Sequence, residues 1–360
     1  MHHSRRKAAP TAAAAPRPAS TSTSPPPRSV LLVKTSSLGD VIHNLPVVSD
    51  LQRCFPDCRI DWLVEESFQD IPRLHPAIHR VIPVALRQWR KALTQAATWQ
   101  EIRAFRENLQ SQDYDLVIDT QGLIKSALLA RFARLSPLGK RSGYAREAAR
   151  EPLAARFYDQ TYAIPKNVHA VERNRWLAAA ACDMTPGLPL DYGLSHLPPR
   201  RAAGPASSQG EEPFALLLTA TRRDAKLWPE DRWLHLMQHL AGEGLRCLLP
   251  AGSVQERERA GRIAASLKAP LDARVAPPLP ITGIADLCRD AKIVIGVDTG
   301  LTHLAAALGK PALALFCASH PDLTGVYTGD PPASPVINLG SHGHPPSADE
   351  AMAAVRRLLG

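Results

Sequence analysis

The sequence predicts an α/β protein with two domains, each built around a parallel sheet. At 360 residues the chain is longer than one ordinary domain. Short apolar runs alternate with helical patterns on both sides of a Pro-, Gly-, Arg- and Ser-rich segment over 186–213. Apolar runs that alternate with helices are typical of buried parallel strands. We expect an N-terminal domain over 29–190, a linker over 191–212, a C-terminal domain over 213–360, and a ligand cleft between the domains.

The expected elements alternate along each domain. In the first domain, strands are expected at 30–33, 60–64, 81–84 and 116–119, with one helix running to Arg53 and another over 99–110. In the second domain, strands are expected at 214–218, 246–250, 293–297 and 312–316, with helices over 230–243, 256–267 and 301–308.

Bulk properties exclude several classes of protein. The net charge of +9 favours a polyanionic partner, which leaves nucleic acid, an anionic membrane and a phosphorylated glycolipid open. No stretch reaches the ~20 apolar residues of a membrane-spanning helix. The six cysteines form no CxxC pair, which argues against zinc and is typical of free thiols in a reducing cytosol. Residues 1–28 lack the apolar core of a secretory signal, and we expect a disordered tail.

The loop after the first expected strand reads Lys34-Thr35-Ser36-Ser37-Leu38-Gly39-Asp40. Small hydroxylated residues and a glycine at a strand end allow backbone amides to approach an anion. The spacing excludes a Walker phosphate loop. Asp40 has two interpretations: a cap of the following helix, or a general base for an acceptor hydroxyl.

Two loops of the second half carry groups that suit a nucleoside diphosphate. Residues 219–229 contain two threonines and three cations, and Lys226 there is able to stabilise a departing diphosphate, although a solvated basic loop is the simpler interpretation. In the other loop, Asp298-Thr299-Gly300 joins a strand to a helix, so its amides suit a phosphate. Asp298 suits sugar hydroxyls, and His303 lies on the first helical turn.

A basic cluster follows the third expected strand. It comprises Arg87, Arg90 and Lys91, and further cations occur at Arg146, Arg150 and Arg173. Such groups bind phosphate or carboxylate through charge-assisted hydrogen bonds, but a charged, exposed helix face would look the same.

Together these segments resemble the lipopolysaccharide heptosyltransferases of glycosyltransferase family 9, and within that family the heptosyltransferase I group. The resemblance runs from about Val30 to Tyr327. It is carried by VKTSSLGDVIHNLP, DWLVEESF, RVIPVALRQWRK, DTQGLIKSAL, AREPLA, HAVER, TRRDAKLWPEDRW and VDTGLTHLAAALGKP. The heptosyltransferase II group shares the segment with DTG but is not known for the TSSxGD opening or the RxWRK run.

The resemblance implies an inverting enzyme of GT-B architecture, with two facing Rossmann-like domains. The implied donor is ADP-L-glycero-β-D-manno-heptose, and the implied acceptor is the first Kdo of Kdo2-lipid A. Asp40 matches the family's base, and Lys226 is the second implied catalytic residue. Neither a metal nor a cofactor is implied, and the enzyme is expected in the cytoplasm, peripherally associated with the inner membrane.

The resemblance also implies two sets of binding residues. The implied donor-binding residues are Thr221, Arg222, Lys226, Glu256, Leu279, Asp298, Thr299, Gly300 and His303. The implied acceptor-binding residues are Ser36, Ser37, Gly39, Arg87, Arg90, Lys91, Gln121, Arg146, Arg150 and Arg173. Arg222 stands where the family usually has a threonine, and Ala251 where a tryptophan is common, so nucleotide affinity or sugar choice could differ.

Three alternatives remain open from the sequence. Two are enzymes, namely a heptosyltransferase II and a related transferase with another ADP- or GDP-sugar donor. The third is a non-catalytic basic module that holds nucleic acid.

Overall fold

The computed structural model describes residues 25–195, 213–268, 272–329, 332 and 334–360, and these residues contain two parallel six-stranded sheets. The first sheet has the order β3-β2-β1-β4-β5-β6 and the second β12-β11-β10-β7-β8-β9. The strands of the first sheet are β1 (Ser29–Val33), β2 (Arg59–Glu65), β3 (Ile78–Val84), β4 (Asp113–Asp119), β5 (Arg134–Tyr144) and β6 (Gln160–Tyr162). Those of the second are β7 (Phe214–Leu218), β8 (Arg246–Leu249), β9 (Ala273–Val275), β10 (Ile293–Val297), β11 (Ala312–Phe316) and β12 (Val336–Gly340).

Helices connect the strands in both halves. Those of the first half are α1 (Leu38–Ile42), α2 (Leu45–Cys54), α3 (Asp70–Arg73), α4 (Leu86–Trp89), α5 (Ala96–Leu109), α6 (Ile124–Phe132) and α7 (Ala170–Ala181). Those of the second half are α8 (Glu230–Gly242), α9 (Val254–Ser266), α10 (Ile281–Asp290), α11 (Gly300–Ala307), α12 (Pro321–Thr324) and α13 (Ala348–Leu359). None of these described helices is long and apolar enough to span a bilayer.

The α/β fold class predicted from the sequence is confirmed, and every expected strand is present. The strands that sequence reasoning missed lie away from the sheet centres. β6 and β9 are three residues long, and β5 contains Pro137 and Gly139 where its pairing with β4 is irregular. Short or interrupted strands lack the continuous apolar run that marks a buried strand.

The expected tail and linker lie largely outside the described residues. Residues 1–24 of the tail and 196–212 of the linker are not described, so both assignments stay predictions. The six cysteines are free thiols, and Cys58, Cys247 and Cys288 are buried.

The two domains are in contact where α1 packs against α11. A Cβ on Gly300 would lie 2.6 Å from Cγ of Leu38, and a Cβ on Gly39 would lie 3.5 Å from Cδ2 of His303. A Cβ at Gly300 would therefore overlap the opposite helix, and only glycine permits this approach. Leu304 of α11 belongs to the same apolar cluster as Val41 in α1, so one continuous core joins the two domains.

A buried ion pair ties α2 to α7 within the first domain. Arg175 Nε donates to Asp50 Oδ2 at 2.8 Å and its Nη2 donates to Oδ1 at 3.1 Å. Both side chains are 6% exposed, and Arg175 also donates to the carbonyl of Leu188 and to Glu172. This bidentate pair fixes α7 and the segment after it.

We expect Arg175→Met to lower the free energy of unfolding by about 3–5 kcal/mol, because Asp50 would stay buried without a counter-charge. Urea denaturation followed by circular dichroism measures the change. The matched control is Arg53→Met, which breaks the exposed 3.8 Å pair with Asp191 and should cost no more than about 1 kcal/mol. An equal loss of unfolding free energy in the two variants would contradict the stabilising role of the buried Arg175–Asp50 pair.

Candidate active site

The residues implied as a site follow the carboxyl ends of the strands in both sheets. In the first sheet Asp40 follows β1, Gln121 follows β4 and Arg150 follows β5. In the second sheet Lys226 follows β7 and Asp298 follows β10. All strands within each sheet are parallel, so these loops share one edge of their sheet, where ligands of open α/β folds bind.

Asp40 is both a helix-capping group and an ionised carboxylate. Its Oδ2 accepts the Ser37 N–H at 2.9 Å and the Ser37 hydroxyl at 3.0 Å, and Arg150 Nη1 lies 3.7 Å away. Burial acts to raise the pKa of Asp40, but Lys34, Arg150 and Ser37 together hold that pKa below its usual value. The two interpretations left open by the sequence are therefore compatible, and the carboxylate is charged at neutral pH.

Lys34 is a buried cation beside Asp40 that sequence reasoning did not place in the site. Its Nζ donates to the carbonyl of Thr120 at 2.7 Å and to Asn174 Oδ1 at 3.3 Å, and the residue is 6% exposed. Burial lowers the pKa of Lys34 to about 8, although the charge of Asp40 opposes this. The available signal was a lysine directly after a central strand. Its two hydrogen-bond partners, however, lie far away in the chain, on the loop after β4 and on helix α7.

Two of the implied acceptor residues, Gln121 and Arg173, form hydrogen bonds within the protein. Gln121 Oε1 accepts from Thr35 N–H at 2.7 Å and from the Thr35 hydroxyl at 2.8 Å, while Nε2 donates to the carbonyl of Ser36 at 2.9 Å. Arg173 donates to the carbonyls of Pro165 and Ala148 at 2.9 and 2.8 Å. Both side chains hold loops around Asp40.

The remaining implied acceptor cations are exposed. Arg146 and Arg150 lie on the segment after β5, and Arg87, Arg90 and Lys91 lie on or just after the short helix α4. Because β3 is two strands from β1, this second group lies roughly 10 Å across the sheet from the Asp40 loop. The structure places all these cations at the same sheet edge without direct contact between the two groups.

Across the domain interface, Asp298 organises the implied donor loops. Lys226 Nζ lies 2.5 Å from Asp298 Oδ2, the Ser319 hydroxyl donates to the same oxygen, and the Thr221 hydroxyl donates to the Asp298 carbonyl at 3.2 Å. Burial acts to raise the pKa of Asp298, but His303, Lys226 and Ser319 hold it well below its usual value. Asp298 thus joins the loops after β7, β10 and β11.

The other implied donor residues surround this centre. Arg222 is exposed, and Leu279 is half-buried just before α10. Glu256 Oε2 accepts the N–H groups of Gly252 and Ser253 at 2.9 and 3.0 Å, so it closes the first turn of α9. Thr299 is the N-cap of α11 and makes no side-chain capping bond.

The acceptor-side and donor-side loops are in direct contact. An added Cβ on Gly39 would lie 3.8 Å from Cα of Gly300, so the residue before Asp40 packs on the first residue of α11. The arrangement brings the segment that carries an ionised carboxylate against the start of a helix, where backbone amides are able to bind an anion. Among the described residues, no cluster of three His, Cys, Asp or Glu is arranged to hold a metal ion.

Comparisons with known proteins identify a family for this chain. A family model described as glycosyltransferase family 9 (heptosyltransferase) matches residues 102–346. Lipopolysaccharide heptosyltransferase 1 of Pseudomonas aeruginosa is 47% identical over 83% of this chain and 81% of its own length. The protein of the same name from Escherichia coli K12 is 43% identical over 87% of this chain and 96% of its own length.

A solved structure shows the same fold. The E. coli heptosyltransferase WaaC with ADP superposes with a TM-score of 0.80 at 39% identity and covers 92% of this chain and 99% of its own. This likeness confirms the expected GT-B architecture.

We expect Lys34→Met to raise the pKa of Asp40, because the substitution removes the charge that contributes most to lowering it. Arg150→Met should raise it less, since Arg150 is half exposed and its charge is screened by solvent. Carbon-13 NMR of labelled aspartate carboxyls measures the titration, with Asp40→Asn assigning the signal. Arg134→Met, at the opposite end of β5, is the control. An Asp40 pKa that is unchanged in folded Lys34→Met would contradict the electrostatic role.

Proposed function

Because the chain belongs to glycosyltransferase family 9, the heptosyltransferase family, we propose that it adds a heptose to the inner core of lipopolysaccharide. The proposed donor is ADP-L-glycero-β-D-manno-heptose, and the proposed acceptor is the first Kdo of Kdo2-lipid A. Family membership makes the chain an enzyme and rules out the non-catalytic module. The identity of 47% and 43% to the heptosyltransferases 1 of P. aeruginosa and E. coli K12, against 24% to heptosyltransferase 2 of E. coli K12, favours the type I reaction.

In the proposed reaction, Asp40 takes the proton of the Kdo hydroxyl as that oxygen attacks the anomeric carbon of the heptose. The bond from this carbon to the β-phosphate oxygen breaks, ADP leaves, and a single displacement inverts the configuration. Ser37 and Arg150 engage Oδ2 of Asp40, so we assign proton acceptance to Oδ1. The low pKa keeps the base ready at neutral pH.

The leaving group is stabilised by charges that the chain itself supplies. Lys226, now paired with Asp298, is within reach of a diphosphate bound at the start of α11, and Thr221 adds a hydroxyl. The amides of Thr299 and Gly300 add the positive end of the helix dipole. We propose that these groups neutralise the developing charge of ADP without a metal ion.

The exposed cations at the edge of the first sheet would hold the acceptor. Arg87, Arg90, Lys91, Arg146 and Arg150 present guanidinium and ammonium groups to a lipid that carries phosphates and carboxylates. The same charges support peripheral association with the cytoplasmic face of the inner membrane.

One observation carries the proposal. Gly39, beside the ionised Asp40, packs against Gly300 and His303 of the opposite domain, which sets the base beside the implied diphosphate site.

We expect purified protein to release ADP from ADP-heptose only when Kdo2-lipid A is present, and to do so in EDTA. Asp40→Asn should lower turnover by at least about 100-fold while ADP binding by calorimetry stays within about threefold, because a general base acts on the chemical step. The control is Asp57→Asn, an exposed carboxylate that precedes β2 at the other edge of the sheet. Full turnover in Asp40→Asn would overturn the assignment of Asp40 as the general base. Release of a nucleoside diphosphate from another nucleotide sugar, but not from ADP-heptose, would overturn the proposed donor.

We expect the protein to bind vesicles that contain anionic lipid and to dissociate at about 1 M salt, where the Debye length is about 3 Å. Sedimentation with vesicles measures the bound fraction, and vesicles of neutral lipid are the control. Binding that is insensitive to salt would contradict a charge-driven association.

A further inference from the structure

Three histidines line the contact between the two domains, namely His43, His169 and His303. The proposed reaction gives no role to the contact between His43 and His303. His43 Nε2 lies 3.1 Å from His303 Nδ1, and the two rings meet edge to face with centroids 4.6 Å apart. His43 follows α1 in the acceptor domain and is 3% exposed, whereas His303 belongs to α11 in the donor domain and is 6% exposed. The hydrogen bond therefore crosses the interface.

The surroundings of His43 decide which nitrogen carries its proton. Nδ1 of His43 is buried and has no hydrogen-bond partner among the described residues. A buried N–H without an acceptor is rarer and costlier than a buried acceptor without a donor. His43 therefore carries its proton on Nε2 and donates it to His303.

The tautomer of His303 follows from that bond. Nδ1 of His303 is the acceptor, so the proton of this ring is on Nε2. This nitrogen lies 4.0 Å from Oδ1 of Asp298, the carboxylate that also holds Lys226. An N–H directed at an ionised carboxylate is favourable, whereas a lone pair there would be repelled.

We propose that His43 is a positioning residue for the donor site, and this inference rests on the proposed heptosyl transfer. By donating Nε2–H to His303 across the interface, His43 holds the His303 N–H toward Asp298, and Asp298 in turn orients Lys226. Because His43 lies three residues after Asp40, the bond couples the segment that carries the base to the group that stabilises ADP.

The third histidine shows why His43, and not His169, has this role. His169 Nδ1 accepts the Val171 N–H at 3.2 Å, and its Nε2 lies 3.2 Å from the Gly325 carbonyl. Both nitrogens are thus engaged by backbone groups. The ring of His169 packs edge to face on His43 at 5.5 Å and so supports its orientation without a hydrogen bond to it.

The first test determines which nitrogen of His303 carries the proton. It uses nitrogen-15 NMR of histidine-labelled protein at about pH 7.5, without substrates. The expected spectrum has the His303 proton on Nε2, with the signal assigned by its loss in His303→Asn. In His43→Leu the proton should stay on Nε2, facing Asp298, while the His303 Nδ1 resonance should move downfield because this nitrogen no longer accepts a hydrogen bond. His75 is the internal reference, because its Nδ1 accepts from the Ala77 N–H and its Nε2 contacts Ser49 away from the interface. A proton on Nδ1 of His303 in the wild-type protein would overturn the proposal.

The second test separates positioning from folding. Turnover is normalised to the number of ADP-binding sites from calorimetry, so a misfolded fraction does not count. His43→Leu should lower normalised kcat about tenfold, the value of one neutral hydrogen bond, and change the KM for ADP-heptose less than about threefold. His43→Gln, whose amide nitrogen replaces Nε2, should stay within about threefold of wild type.

Equal kcat in the Leu and Gln variants would refute the role of the donated hydrogen bond. If the wild-type protein transfers no heptose, the proposed function fails, but the tautomer measurement still decides this inference because it needs no substrate.

Discussion

The close approach of α1 and α11 is the constraint on which the rest of the site depends. Glycine at position 300 lets the start of α11 reach Leu38, and Gly39 packs beside His303 of the opposite helix. The contact joins two sheets whose strands end at this interface. It therefore brings the segment that carries Asp40 against the start of α11, which follows Asp298 and its partner Lys226. A larger side chain at Gly300 would separate the two halves of the proposed site.

Each domain contains one partly buried pair of a lysine and an aspartate, and the two pairs differ in geometry. In the first, Lys34 is held away from Asp40 by Thr120 and Asn174, so it lowers the carboxyl pKa without neutralising the charge by direct contact. In the second, Lys226 contacts Asp298 directly. The difference suits the proposed roles, because a base must keep a free oxygen, whereas a phosphate-binding lysine needs a carboxylate to hold it in place before the donor arrives.

Much of the fold follows from local patterns. Central strands such as β1 and β10 are buried along their whole length, so their apolar runs are unambiguous. Strands toward the sheet margins are harder to predict, because β6 and β9 are too short to show a pattern and β5 is interrupted by Pro137 and Gly139. Helix α7 was not predicted either, although it supplies Asn174 and Arg175 to the interior.

By itself, the sequence determined the two-domain α/β class, the family and the loops of the candidate site, because strand periodicity and motif order are local properties of the chain. Only the tertiary structure decided what each side chain in those loops does. The resemblance implies that Gln121 and Glu256 bind ligands, and the structure adds that Gln121 binds the backbone of the loop after β1 and that Glu256 binds the backbone just before α9. Lys34 and His43 became site residues only when distant strands and a second domain surrounded them. Burial, hydrogen-bond partners and pKa depend on which remote segments come together, and a sequence pattern does not contain that information.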